Sequence, residues 1–101
     1  HVCDLAEAHV AALQWLEQND GAMDAFNLGT GTGSSVKEVI SAFESATGRA
    51  VPHRFGARRP GDVTAIYADA TKAADLLGWS TKRSLEECLA DAWRWQEKLT
   101  L

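Results

Sequence analysis

Residues 25–38 read Ala25-Phe26-Asn27-Leu28-Gly29-Thr30-Gly31-Thr32-Gly33-Ser34-Ser35-Val36-Lys37-Glu38. A short strand-like segment passes through a glycine-rich turn into a helix start, and the meaning of that turn decides the fold. Gly29–Ser34 offers backbone amides ahead of a helix N-terminus, as a pyrophosphate-binding fingerprint does. Its spacing, however, is Gly-x-Gly-x-Gly. The fingerprint requires Gly-x-Gly-x-x-Gly and, about 20 residues on, a strand ending in an acidic residue for a ribose. Neither is present. The glycines therefore read as a tight reversal into a capped helix, and no cofactor is expected on this chain.

Working outward, four helices announce themselves by their caps. Ser35-Val36-Lys37-Glu38 is a capping box, opening a helix with Val36, Val39, Ile40 and Phe43 on one face and Gly48 at its end. Asp4-Leu5-Ala6-Glu7 has the same form and precedes the stripe Leu5, Val10, Leu13, Leu16, which stops near Asp20-Gly21. Asp69 caps a short helix from Thr71 to Leu77, closed by Gly78. Ser84-Leu85-Glu86-Glu87 opens the last helix, with Leu85, Cys88, Leu89, Ala92, Trp95 and Leu99 at helical spacing. Trp95 thus reads as core, and Trp93, two residues away, points elsewhere.

Ala25–Leu28 and Val51–Tyr67 read as extended, the second broken by a turn at Arg58–Gly61. The expected fold is α/β, a small α+β-like lobe of about four helices and a few short strands, forming one domain over residues 1–101. A doubly wound sheet would need more parallel strands, so a Rossmann domain is absent.

The formal charge is −4, which argues against nucleic acid as a partner because phosphate neutralisation wants clustered Lys and Arg. No apolar run approaches a membrane span. Cys3 and Cys88 lie far apart and read as reduced thiols, and no metal site is expected. The chain opens His1-Val2-Cys3-Asp4, without Met or a basic, Leu-rich leader, and is expected to be part of a longer cytoplasmic protein.

Arg58-Arg59-Pro60-Gly61-Asp62 is the segment with binding chemistry. Adjacent side chains of an extended segment face opposite ways, so one arginine faces a cleft while the other faces solvent or a partner. A guanidinium is a planar fork of donors that matches phosphate oxygens. Asp62, across the Pro-Gly turn, is placed to accept from the paired hydroxyls of a ribose. The same residues also describe a plain surface turn with an exposed ion pair.

Taken in order, the segments resemble the last third of the UDP-glucose 4-epimerases, which are NAD-dependent extended short-chain dehydrogenase/reductases. The resemblance is carried by His1-Val2-x-Asp4-Leu5-Ala6, His9-Val10, Phe26-Asn27-Leu28-Gly29-Thr30-Gly31, Ser35-Val36 and Glu38-Val39. It continues through Arg58-Arg59-x-Gly61-Asp62, Ala68-Asp69-Ala70-x-Lys72-Ala73, Leu77-Gly78-Trp79 and Asp91-x-Trp93-x-Trp95-Gln96. It implies that Arg59 contacts the diphosphate of a UDP-sugar, that Asp62 holds the ribose, and that Ile66 lines the hexose end. Family members carry Tyr or a small residue at that last place, so Ile leaves hexose against N-acetylhexosamine preference open.

The resemblance also implies the partners: UDP-glucose and UDP-galactose, NAD in the full-length enzyme, and an N-terminal Rossmann domain. A homodimer is implied for the parent, and exposed apolar faces are expected to make this segment self-associate. The family's Tyr-x-x-x-Lys is not in these residues: Tyr67 is the sole tyrosine and Thr71 stands four positions on. No catalytic residue is therefore assigned, and no activity is expected of the chain alone. Rival readings are the same lobe of another sugar-nucleotide enzyme (a 4,6-dehydratase or decarboxylase) and an interaction domain without a ligand.

Overall fold

The computed structural model describes residues 1–99. The chain packs as two compact units, one of His1–Gly33 with Tyr67–Arg83, the other of Ser34–Ile66 with the chain from Ser84 onward. Its helices are α1 (Val2–Gln18), α2 (Val36–Thr47), α3 (Thr71–Leu77) and α4 (Leu85–Leu99).

In the first unit α1 packs on α3 through Ala8 and Ala73, both buried. Methyl side chains allow a close approach, and Trp79 fills the space beside them, with Phe26, Leu28, Ala70 and Leu77 around it. Trp15 meets Phe26 edge-on at 5.4 Å between ring centres. The expected stripe Leu5, Val10, Leu13, Leu16 is the exposed face of α1, whereas Asp4 and Ala8 are turned inward. The Asp4 capping box is also corrected. α1 starts at Val2, where the His1 ring accepts from the Cys3 N–H at 3.0 Å. Asp4 leaves the capping role because Arg83 offers it a stronger, charge-assisted partner.

In the second unit α2 packs on α4. Both serine boxes form: Ser35 Oγ accepts from Glu38 N at 3.2 Å while Glu38 accepts from Ser35 N at 3.0 Å. Ser84 and Glu87 do the same at 3.1 and 2.7 Å. Gly48 closes α2 in the left-handed conformation (φ 68°), where a Cβ would be strained. The tryptophans of α4 exchange the expected roles. Trp93 is half-buried, edge-on to Phe43 at 5.5 Å and covered by the Arg49 guanidinium at 4.8 Å. Trp95 is 62% exposed. The helix carries two apolar rows, Leu85–Leu89–Trp93 and Ala92–Trp95–Leu99, and the first is the half-buried one.

The few short strands do not form: among the described residues there is no strand. A strand is defined by its ladder, and neither Ala25–Leu28 nor Val51–Tyr67 forms one among the described residues. Phe26 and Leu28 still alternate inward with Asn27 outward, as a half-buried strand would. The Ala25 carbonyl takes the Lys72 ammonium at 3.0 Å, a side-chain donor instead of a neighbouring strand. No helix of the described residues is long and apolar enough to cross a membrane.

Candidate functional site

Arg58–Asp62 lies in the second unit and is built by its own sequence. Pro60 presets its φ and Gly61 takes φ 88°, the pairing a type II turn requires. The turn closes with Asp62 N donating to the Arg59 carbonyl at 3.3 Å. It brings two of the expected ligands together: Arg59 Nε and Nη2 both donate to Asp62 Oδ1, at 3.1 and 3.0 Å. Arg58 Nη2 donates to the Asp62 main-chain carbonyl at 3.3 Å. The Arg59 side chain is 82% exposed, so water and salt screen its pairing, and an incoming anion competes with Asp62 at small cost. Ile66 stands four residues further along, its bulk exposed (82%).

A cleft of about 500 Å³ opens in the first unit, lined by Gly29, Thr30, Asp69, Thr71, Trp79 and Ser80 among others. None of the expected ligands borders it. Its carboxylate already serves α3: Asp69 Oδ1 accepts from Thr71 N at 3.0 Å and from the Thr71 hydroxyl. Those bonds, the hydroxyl's first, hold the Asp69 carboxyl below its ordinary pKa. In the second unit the N-terminus of α2 carries its own capping box, with Ser35 Oγ accepting from Glu38 N and the Glu38 carboxylate accepting from Ser35 N.

The cluster that sequence reasoning missed is ionic. Asp4, 1% exposed, accepts through Oδ2 from Lys82 N and Arg83 N, both at 3.2 Å, and through Oδ1 from Arg83 Nη1 at 2.5 Å. Glu7 takes Arg83 Nη2 at 3.2 Å and Lys82 Nζ at 3.1 Å. Burial works to raise the Asp4 pKa, but the Arg83 and Lys82 amides and the Arg83 guanidinium outweigh it and hold the carboxyl low. Hydrogen bonds from Lys82 and then Arg83 lower Glu7 likewise, and Asp4 followed by Glu7 raises Arg83. The legible signal was an acid four residues before Ala8, on the small-residue face of α1. An acid at an inward position requires a cation. Among the described residues no group of three or more His, Cys, Asp or Glu could hold a metal ion.

Comparison with known proteins gives the family to which this fold belongs. The family model described as GDP-mannose 4,6 dehydratase matches residues 1–92, and the chain belongs to that family. It is similar to the UDP-glucose 4-epimerase of Bacillus subtilis, 57% identical over 95% of this chain and 28% of that protein. It is 51% identical to the UDP-glucose 4-epimerase of Yersinia pestis over 97% of this chain and 29% of that one. A crystal structure of UDP-glucose-4-epimerase from Stenotrophomonas maltophila, with bound NAD and formylated UDP-arabinopyranose, superposes with a TM-score of 0.93. It is 45% identical and the match covers 99% of this chain and 30% of that one. The enzyme from Bifidobacterium longum, in complex with NAD+ and UDP, gives a TM-score of 0.81 at 43% identity, over 97% of this chain and 29% of that one. The chain thus spans under a third of the proteins it matches, and what it matches is their carboxy-terminal region.

Proposed function

We propose that residues 1–101 are the carboxy-terminal nucleotide-sugar-binding segment of a UDP-glucose 4-epimerase, interconverting UDP-galactose and UDP-glucose in galactose metabolism in the cytoplasm. The observation that carries the reading is the Arg59–Asp62 turn, a fork of donors and a carboxylate held side by side at the surface. Arg59 leaves Asp62 for the diphosphate oxygens, Asp62 turns its carboxylate to the ribose hydroxyls, and Ile66 borders the sugar. NAD, held by residues outside these 101, supplies hydride acceptance and return at C4 of the hexose. This chain contributes grip on the nucleotide end, the remote binding energy that lets the sugar stay loose.

The exposed row Val2, Leu5, Leu13 and Leu16 on α1 supports a covering partner, which we assign to the NAD-binding part of the longer enzyme. Separated from it, the chain self-associates through this row and has no epimerase activity; the parent is a homodimer. Titration of the chain with UDP, in wild type and Arg59→Ala, tests the reading. Saturable binding that Arg59→Ala weakens at least tenfold supports it, and equal affinity of the two refutes it.

A further inference from the structure

When a nucleotide engages the turn, its oxygens and hydroxyls compete for the Arg59 fork and the Asp62 carboxylate. The side-chain tie that closes the turn in the present structure, Arg59 to Asp62 Oδ1, is weakened by that competition at the moment the turn has to be firm. The main-chain bond from Asp62 N to the Arg59 carbonyl is 3.3 Å long, the same length as the exposed bond that Arg58 makes, so neither alone fixes the turn. Arg58 is placed differently. Its Nη2 donates to the Asp62 carbonyl, which no ligand role consumes, and it spans the turn from the residue before to the residue at its end. This bond survives the competition of a ligand for Arg59 and Asp62.

We infer that Arg58 is a positioning residue: it clips the exit of the Arg59–Asp62 turn, so that fork and carboxylate keep one presentation in the free and the bound chain. The inference rests on the reading of this turn as a nucleoside-diphosphate site. It differs from a direct phosphate role, in which Arg58 would supply a second positive charge to the diphosphate and leave the ribose contact untouched.

Two measurements on the 101-residue chain decide it. The first, without nucleotide, is hydrogen exchange of the Asp62 amide by NMR in wild type, Arg58→Ala and Arg58→Lys. Loss of one net hydrogen bond predicts exchange about fivefold faster in Arg58→Ala, and a single ammonium donor returns Arg58→Lys to within about twofold of wild type. Unchanged exchange in Arg58→Ala overturns the inference, whatever nucleotides do. The second is titration with UDP and with uridine. Positioning predicts that Arg58→Ala weakens both, by about threefold to tenfold, and that Arg58→Lys restores both. Weakened UDP with unchanged uridine overturns positioning in favour of direct phosphate contact. A wild-type chain that binds neither compound refutes the nucleotide reading itself, while amide exchange still decides whether Arg58 holds the turn.

Discussion

The indole Nε1 of Trp79 donates to the main-chain carbonyl of Asp4 at 2.8 Å, joining residues 75 positions apart in the interior of the first unit. The same Asp4 binds the Lys82 and Arg83 amides through its side chain, so one residue near the start of α1 anchors the segment that follows α3 at both its main chain and its carboxylate.

Trp79→Phe keeps a ring in the core and removes the donor. The Asp4 carbonyl is then buried without its partner, and the chain loses about 1–3 kcal/mol in urea denaturation. Stability within about 0.3 kcal/mol of wild type would show that water replaces the indole.

Acid loosens the first unit. Asp4, Glu7, Asp24 and Asp69 all have carboxyls held below their ordinary values of 3.8 (Asp) and 4.5 (Glu). The folded chain therefore binds fewer protons than the unfolded one in that range, and falling pH favours unfolding. Their stabilisation is complete above pH about 4.5 and disappears as pH drops through the depressed folded values. Followed by NMR on acid titration, the Trp79 indole N–H stays protected at pH 5 and exchanges freely well below pH 3.8. Asp4→Asn removes the Asp4 share of this acid sensitivity, leaving that of Glu7, Asp24 and Asp69, and lowers the melting temperature at pH 7.

A methyl at Gly29 has no room. An added Cβ would lie 2.8 Å from the Ala68 Cβ, itself fixed to the backbone, so the two segments must separate. Gly29→Ala costs about 1–3 kcal/mol by overpacking. The same exchange at Gly56, where nothing lies within 4 Å, is expected to be neutral or slightly stabilising. Equal melting temperatures for the two variants would refute the close approach.

The α4 tryptophans separate cleanly. Trp93→Ala removes the ring packed on Phe43 and under Arg49 and costs about 2 kcal/mol or more. Trp95→Ala changes thermal stability by under about 0.5 kcal/mol, because its ring faces solvent. The reverse order would restore the core assignment that helical spacing suggests.

How much was legible differs between elements. Ser35–Glu38 and Ser84–Glu87 close on themselves within three residues, so their boxes were readable before any packing was known. Gly48 and Gly78 stop helices where a left-handed residue is needed, again a local demand. Arg59 and Asp62 were legible as a pair for the same reason: Pro60 and Gly61 make the turn that brings them together. The clip by Arg58 was not, since alternation along an extended segment turns it away from Arg59 without saying what it meets.

By itself, then, the order of residues determined where α2 and α4 begin, where α2 and α3 end and that the Arg59–Asp62 turn forms, because each depends on groups within about four positions and on the φ those residues permit. Only the tertiary structure decided which of two apolar rows on α4 is covered, that the leucine row of α1 is left outside, and that Asp4 turns inward to Arg83. It also decided that the extended segments are not strands. Each of these depends on a partner tens of residues away, and hydrophobic spacing names a face without naming what covers it.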